Sequence, residues 1–475
     1  LIMSSSLAEG YIISENALLN IFKYLDLIAI AELRKVSSSW RNFIDNEFRI
    51  WQKFVCTSDE IKPWRYQLIQ TKYPSISSSD YDNLSNEQYK ELFVSYINWR
   101  RVNNYAQSEV AFQNSEFFDD PKNAITLIDT WANYIAFVGG NENSVVLFDI
   151  NTGESLMNLV RFNSQLFPPE NSDEISQNVE LSIRRLRIFK PAIDRLFFCI
   201  QTDSAVFFWD VNEKIPIPTP EILRENLRQR PIDISRGFDS NLYVTLYSLR
   251  RIDIVRCKFD INSQSIVAQK IIIVNPPGNL NYPVFKDIFF QKTAILMIYR
   301  HIKSSYLMQV NIPENLENPI EINGSDKKYI KTIFNNLDRP DFLYGLSITN
   351  FNTVLAYYPT ESRLDISLKF KSSGPNHYNF TEKSYILPSE FGRIVDLFFY
   401  MNNLYLLTEK DLLIIYKLKN VKHLIHLQLN NLQPKVINIS GLRTLNALLA
   451  TESNNKPFII VSTYGKTKLQ AVCVN

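Results

Sequence analysis

The spacing of apolar residues changes near residue 105 and divides the chain into two parts. Before this point, apolar residues recur every three or four positions, which is the period of an amphipathic helix. After it, short runs of β-branched and aromatic residues are separated by Asn, Asp, Ser and Gly, a pattern typical of strands joined by tight turns. The chain is therefore predicted to be a multidomain protein of the α plus all-β class, and its 475 residues allow two or three domains.

Three short helices are predicted in the first fifty residues. The first begins after Ser14, which stands at the position of an N-cap, and its apolar residues share one face. These residues are Leu18, Ile21, Phe22 and Leu25. The second helix is predicted over 28–36, and the third after the serines at 37–39. A unit of about forty residues buries too little surface to be stable alone, so part of this apolar face is predicted to contact a partner.

The same segment resembles an F-box, expected over residues 8–55. The apolar and aromatic positions of that family and its conserved aspartate are occupied by Ile13, Leu18, Leu19, Ile21, Phe22, Tyr24, Leu25, Asp26, Leu33, Val36, Trp40 and Trp51. The resemblance implies that the helices bind the Skp-type adaptor of a cullin-RING ubiquitin ligase. The residues expected at that interface are Ile13, Leu18, Ile21, Phe22, Leu25, Leu33, Val36 and Trp40. The alternative is an ordinary helical core within a larger domain.

Residues 56–105 are predicted to form a helical linker rich in aromatic residues, with its clearest helix over 87–98. The segment is similar to the one that joins the F-box to the recognition domain in F-box proteins with a propeller. The alternative is a helical hairpin packed on the next domain. Both interpretations make the segment a rigid spacer.

Two strand–turn–strand units are especially clear in the β-rich part. One runs from Trp131 through a turn at 141–144 to a strand at 145–150, and the other repeats this order over 194–211. Asn and Gly supply the positive φ angles that such turns need. Both units resemble a blade of a WD-repeat propeller, and Trp209 with Asp210 matches the terminal dipeptide of that family.

A β-propeller is accordingly expected over 106–475, with seven blades. The marker used for each blade is the strand at Phe148, Phe208, Phe259, Val310, Ser367, Tyr416 or Cys473, and these positions lie 49 to 60 residues apart. Such intervals are close to, or slightly longer than, the repeat of a four-stranded blade. Leucine-rich and kelch repeats are not present in the sequence, whereas two packed β-sandwiches would also give many short strands.

Arginine is concentrated between residues 184 and 256. Its planar guanidinium group pairs with carboxylate and phosphate groups, and propeller-type receptors commonly read acidic or phosphorylated peptides with arginines on one rim. The candidate target-binding residues are Arg184, Arg185, Arg187, Arg250 and Arg251. The alternative is a solvated surface on which these arginines pair locally, because nine acidic residues share the segment.

The remaining composition indicates neither catalysis nor binding to nucleic acid or a membrane. Phosphate-loop, dinucleotide-binding and nucleophile motifs are not present in the sequence, and neither its four histidines nor its four cysteines have metal-ligand spacing, so no catalytic residue, metal or cofactor is expected. The net charge of +2 predicts no nucleic-acid or membrane partner. Cysteines more than fifty residues apart suit a reducing compartment, so we expect the protein in the cytoplasm, the nucleus or both.

The function expected from these features is that of a non-catalytic substrate receptor. The F-box would bind the adaptor and through it cullin, and the propeller would bind an acidic or phosphorylated protein for ubiquitination. The alternative is a propeller scaffold that binds the adaptor for assembly alone, without ligase activity.

Overall fold

The computed structural model has helices in the N-terminal part and mainly strands in the remainder, where a short helix, His423–His426, is also described. The described residues are 14–22, 24–25, 27–73, 76, 80–109, 125–139, 143–161, 182–192, 195–203, 205–224, 230–237, 241–248, 251–275, 284–291, 294–301, 304–312, 316–323, 329–333, 345–348, 353–357, 362–371, 378–420, 423–426, 429–439, 445–453, 456–463 and 470–474. Ile13 and Arg250 therefore lie outside the described residues, as does Asp26.

Six helices precede the first strand in the described residues. They are α1 Glu15–Phe22, α2 Leu27–Leu33, α3 Ser38–Asn46, α4 Phe48–Thr57, α5 Arg65–Lys72 and α6 Asn86–Arg100. The predicted cap at Ser14 is confirmed, because its Oγ accepts the Ala17 N–H. Helix α3 has a cap that was not predicted, since Ser37 Oγ accepts the Trp40 N–H at 3.1 Å. The prediction of three helices in the first fifty residues was incomplete, because α3 ends at Asn46 and a separate helix, α4, begins at Phe48.

The strands follow the six helices along the chain. In chain order they begin with β1 Tyr105–Glu109, β2 Leu127–Trp131, β3 Tyr134–Gly139, β4 Ser144–Asp149, β5 Ser155–Arg161, β6 Arg185–Ala192, β7 Arg195–Gln201, β8 Val206–Asp210, β9 Ile215–Ile217, β10 Arg230–Arg236, β11 Leu242–Ser248, β12 Arg251–Asp260, β13 Ser265–Asn275, β14 Val284–Gln291 and β15 Ala294–His301. They continue with β16 Ser304–Asn311, β17 Ile320–Asn323, β18 Ile330–Ile333, β19 Gly345–Ile348, β20 Thr353–Tyr357, β21 Arg363–Lys371, β22 Tyr378–Ile386, β23 Ile394–Tyr400, β24 Asn403–Thr408, β25 Leu412–Lys417, β26 Lys435–Asn438, β27 Leu445–Ser453, β28 Lys456–Thr463 and β29 Gln470–Val474.

These strands form seven sheets within the described part of the chain. In order of their first strands, we call them sheet 1 (β2–β5), sheet 2 (β6–β9), sheet 3 (β10–β13 with β17), sheet 4 (β14–β16 with β18), sheet 5 (β19–β22), sheet 6 (β23–β26) and sheet 7 (β27–β29 with β1). Six of them have four antiparallel strands, and sheet 3 has a fifth strand, β17, which adds to β13 in parallel and covers its edge. The sheets are thus the blades of a propeller.

The first strands of neighbouring sheets meet in cyclic order. β2 contacts β6, and the contacts continue through β10, β14, β19 and β23 to β27, which contacts β2 again. Two packed sandwiches do not have this order. Each of the seven sequence markers lies in the third strand of a sheet. The blade count of the complete chain stays a prediction.

The ring is closed by strands from its two ends. β1 pairs antiparallel with β29 from Tyr105 opposite Val474 to Glu109 opposite Gln470. Because β1 follows α6 after only a single 3₁₀ turn, Val102–Asn104, the helices are connected directly to the closing sheet.

One strand begins later in the structure than the sequence predicted. The segment from Trp131 was predicted as a single strand, but β2 ends at Trp131 and a turn at Ala132 and Asn133 precedes β3. Ala132 has φ 51°, and the side-chain amide of Asn133 donates to Asp149 Oδ2 at 2.8 Å. This side-chain bond stabilises a turn that the apolar pattern alone does not reveal.

Candidate functional site

Helices α1 to α4, called the F-box-like helices here because they cover most of the segment that resembles an F-box, contain a small aromatic core. The Phe22 ring packs against Trp40 and Phe43, with ring centroids 5.9 and 6.0 Å apart, and Leu18 is buried beside it. The guanidinium of Arg34 reaches across from α2 and pairs with Asp45 of α3 at 2.7 Å. This core fixes the relative positions of α1, α2 and α3.

The predicted adaptor-binding residues differ in their exposure to solvent. Leu18 and Phe22 are 5% and 3% exposed and lie in the core of the protein itself. Leu25, Leu33 and Trp40 are partly buried against that core. Ile21 and Val36 are the exposed members of the set, at 45% and 61%. Their contact with an adaptor stays a prediction.

Tyr24, two residues after the end of α1, is a further exposed apolar side chain, at 89%. A cleft of about 290 Å³ opens on another side of α1, where Leu19, Phe22, Ile50 and Phe54 form apolar walls with Lys53 among the lining residues. The F-box-like helices therefore offer apolar surface on more than one side of α1.

Residues 58–104, between α4 and β1, are called the linker here. The linker is fixed to the F-box-like helices by Phe93 of α6, whose ring lies 5.0 Å from that of Trp51. Polar contacts add to this packing, because Asn86 Nδ2 donates to the Asp45 carbonyl at 3.1 Å and Lys90 Nζ lies 3.7 Å from the Asp45 carboxylate. The predicted helix over 87–98 is confirmed as the centre of α6, which begins with a capping box formed by Ser85 and Gln88.

The turn between β23 and β24 inserts into the linker. Asn402 in this turn is 1% exposed, and its Oδ1 accepts the Trp64 indole N–H at 3.0 Å. Its Nδ2 donates to the Glu60 carbonyl and to the Tyr96 hydroxyl, both at 3.0 Å. The linker therefore satisfies both side-chain atoms of a buried asparagine that belongs to sheet 6.

Aromatic rings also pack together where the linker contacts sheet 6. Trp64 and Trp99 lie with their ring centroids 5.5 and 4.8 Å from that of Tyr400. Burial raises the pKa of the Tyr400 and Tyr405 hydroxyls, as expected for phenols enclosed in this packing. Arg100 completes the contact by donating to the Asn402 carbonyl and to Asn403 Oδ1, both at 2.9 Å.

The linker also reaches across the ring. Gln70 of α5 donates to the carbonyl of Gly237, which follows β10 in sheet 3. Lys72, two residues further on, pairs with Glu452 of sheet 7 at 2.5 Å. Sheets 3 and 7 are separated by two sheets on one side of the ring and three on the other. Helix α5 therefore lies across one mouth of the central channel, on what we call the linker face.

The candidate arginines lie at the opposite end of the strands, which we call the open face. Arg184 and Arg185 are at the start of β6, and Arg251 is at the start of β12. Antiparallel meanders place these strand starts at the end away from the first turn of each sheet, which the linker contacts. Arg187 lies further along β6, toward the middle of the channel wall.

Each described candidate arginine pairs with a carboxylate of the propeller. Two of these contacts are bidentate: Arg184 with Asp203 at 3.0 and 3.1 Å, and Arg251 with Asp253 at 2.5 and 3.0 Å. The other two are Arg185 with Asp233 at 3.0 Å and Arg187 with Asp129 at 3.5 Å. Local pairing, the alternative interpretation of the arginine-rich segment, accounts for all these contacts. Their role in target binding stays a prediction.

Asp129 is a further charged residue that the sequence analysis did not single out. It is 3% exposed on β2, accepts the Ile188 N–H at 2.8 Å and pairs with Arg236 at 2.6 Å. The Arg236 guanidinium lies 4.7 Å from the centre of the Trp131 ring. Burial lowers the pKa of Arg236, while the Asp129 carboxylate acts in the opposite direction. This cluster joins sheets 1, 2 and 3 along the channel wall.

Comparison with known protein families gives a match to the helical part of the chain. A model of the family described as F-box-like matches residues 15–57, which therefore form an F-box-like domain. No curated protein matches the chain. An F-box-like domain joined to a propeller supports, in general terms, binding to a Skp-type adaptor.

Solved structures similar to the chain are propellers. The structure titled "Structure of Dos1 propeller" has a TM-score of 0.42 and 10% identity, covering 79% of this chain and 97% of that one. Hsv2 of Kluyveromyces lactis has a TM-score of 0.37 and 10% identity, covering 69% and 86%. The fold is shown by the sheets of the chain itself.

Among the described residues no cluster of three or more His, Cys, Asp or Glu side chains could hold a metal ion. No helix within the described ranges is long and apolar enough to cross a membrane. All four cysteines are free thiols.

Proposed function

We propose that this protein is the substrate-recognition subunit of a Skp–cullin–F-box ubiquitin ligase. The observation that carries the proposal is an F-box-like domain fixed, through a packed linker, to one face of a β-propeller. The F-box-like domain binds the adaptor and through it cullin, while the propeller binds the protein to be ubiquitinated. The free thiols support the expected location in the cytoplasm, the nucleus or both.

The adaptor surface is formed by the apolar residues that the F-box-like domain leaves exposed. Ile21, Tyr24 and Val36 are candidates for direct contact, because they are the large apolar side chains that the described part of this domain leaves exposed. Leu18 and Phe22 support this surface from within the core. Large apolar anchors of this kind typically dominate the energy of such an interface.

The target surface is the open face of the propeller. The linker covers the opposite mouth of the channel with α5, so a target that binds the open face does not compete with the linker. Arg184 and Arg251 are available there to an acidic or phosphorylated segment, which would replace Asp203 and Asp253 as their partners. A phosphate group, with more charge than a carboxylate, is suited to such an exchange.

The chemical contribution of the protein is proximity rather than catalysis. Holding a target beside the ubiquitin-loaded conjugating enzyme raises the effective concentration of its lysines. A linker packed between the adaptor-binding domain and the target-binding domain keeps the distance between them nearly constant, which supports this role.

Adaptor binding is tested by purification of the chain with a Skp-type adaptor and cullin. The variant Ile21→Asp/Val36→Asp places charges on the exposed apolar surface without touching the core, and Ile386→Asp is the control because Ile386 is 73% exposed on sheet 5. The wild type and the control should recover both partners, and the double variant neither. Equal recovery by all three proteins contradicts the assigned surface, and no recovery by the folded wild type contradicts the function.

A second function is favoured by the pairing of the arginines. If Arg184, Arg185, Arg187 and Arg251 serve only to pair with neighbouring carboxylates, the propeller is a scaffold that binds the adaptor for assembly. In that case the adaptor is recovered without cullin. Recovery of cullin together with the adaptor supports the ligase function instead.

A further inference from the structure

We propose that Glu452 is the positioning residue that fixes the linker on the propeller and couples this docking to closure of the ring. Glu452 lies near the end of β27, the first strand of sheet 7, and is 5% exposed. Its Oε1 accepts the Trp99 indole N–H at 2.5 Å and the Ser95 hydroxyl. Its Oε2 lies 2.5 Å from Lys72 Nζ.

All three of these partners belong to the linker: Lys72 to α5, and Ser95 and Trp99 to α6. A buried carboxylate without partners is strongly unfavourable, whereas a paired and hydrogen-bonded one is tolerated. The linker thus compensates the charge that sheet 7 places at this position. Lys72 depends on Glu452 in the same way, because its own side chain is only 10% exposed.

Trp99, one of these partners, also contacts the strand that closes the ring of sheets. Trp99 donates to Glu452 through its ring, and its backbone carbonyl accepts the hydroxyl of Tyr105 at 2.9 Å. Tyr105 is the first residue of β1, which pairs with β29 in the sheet that also contains β27. Trp99 is therefore tied to both edges of sheet 7, and loss of the Glu452 contact should loosen β1 as well as the linker.

Positioning of the linker by Glu452 is a property of the isolated chain and does not depend on adaptor or target, so it can be refuted while the proposed function holds, and the reverse. Its test is native-state hydrogen exchange of the full chain, followed in peptides from α5, α6, β1 and β29. Peptides from β11 and β12 in sheet 3 serve as an internal reference. Exchange reports local opening in each segment separately.

The decisive variants change charge but not size. Glu452→Gln leaves Lys72 buried without a counter-charge, and we expect exchange in α5, α6 and β1 to become at least about 100-fold faster. Lys72→Met/Glu452→Gln removes both charges, and exchange should return to within about tenfold of the wild type. The control Glu409→Gln removes an exposed carboxylate that pairs with Arg393, and it should change nothing in these peptides.

Two outcomes overturn the inference. If Glu452→Gln leaves α5 and α6 as protected as in the wild type, Glu452 does not position the linker. If α5 and α6 exchange faster while β1 and β29 do not, docking and ring closure are not coupled. If Glu452→Gln fails to fold, Ser95→Ala can be used instead, because it removes a single hydrogen bond to Glu452. Exchange in α5, α6 and β1 should then become about tenfold faster. Unchanged exchange in that variant also refutes the inference.

Discussion

Replacement of Asn402 by glycine should release the linker from sheet 6. The side chain makes three buried hydrogen bonds to the linker, at 3.0 Å each, through Trp64, Glu60 and Tyr96. A hydrogen bond contributes about 0.5–1.5 kcal/mol net, so the loss of three should lower the free energy of linker opening by about 2–4 kcal/mol. Glycine is the appropriate replacement because Asn402 has φ 57°, which glycine adopts without strain.

The assay is native-state hydrogen exchange in α5 and α6. A loss of about 2–4 kcal/mol corresponds to exchange about 30- to 1,000-fold faster, because each 1.4 kcal/mol is a factor of ten. Lys214→Gly is a matched control, since Lys214 has φ 60° in an exposed turn of sheet 2. This control should leave the exchange rates in α5 and α6 unchanged. The comparison therefore distinguishes the loss of the hydrogen bonds from the effect of placing a glycine in a turn.

A threefold change or less in Asn402→Gly would refute the reasoning. It would mean that the aromatic packing of Trp64 and Trp99 on Tyr400 holds the linker without help from the polar contacts. A uniform acceleration in all sheets would also contradict it, because the contacts of Asn402 predict a local opening.

Three other variants or conditions give separate expectations. Phe22→Ala should destabilise the F-box-like helices by about 3–5 kcal/mol through the cavity it leaves, seen as lost helical circular dichroism on mild heating; unchanged melting would contradict the core position of Phe22. Arg236→Met leaves Asp129 without its closest cation and should lower stability by about 3–5 kcal/mol in urea denaturation, and an unchanged midpoint would count against the channel-wall cluster. Burial raises the pKa of Tyr385 and Tyr416 to about 12, so the protonated phenols stabilise the fold fully below about pH 10. That stability should be lost as the pH rises from about 10 to 12, and a melting temperature that stays constant over this range would disprove it.

Local chemistry made much of the fold predictable. Ser14 caps α1, the first helix of the described residues, as its position before an apolar periodic segment indicates. The strand markers fall in the third strand of each sheet because that strand carries a dense β-branched or aromatic run beside a turn. Such signals lie within a few residues of the structure that they specify.

The contacts that hold the linker could not be predicted in this way. Trp64 and Asn402 are 338 residues apart, and Trp99 and Glu452 are 353 apart. Nothing near Asn402 distinguishes it from the many other asparagines in turns. The arginine-rich segment shows the same limit, because composition identifies Arg184 but not the carboxylate of Asp203 with which it pairs.

The turns of the linker face have a double role that follows from their geometry. A tight turn between two strands needs residues that tolerate positive φ, and in sheet 6 these are Met401 and Asn402. Asparagine meets this backbone requirement and also carries a donor and an acceptor beyond the end of the sheet. The residue that closes the hairpin is therefore also able to bind the linker. Docking of the linker and formation of sheet 6 thus rely on the same turn, so the helical and β-rich parts are expected to lose structure together at this contact.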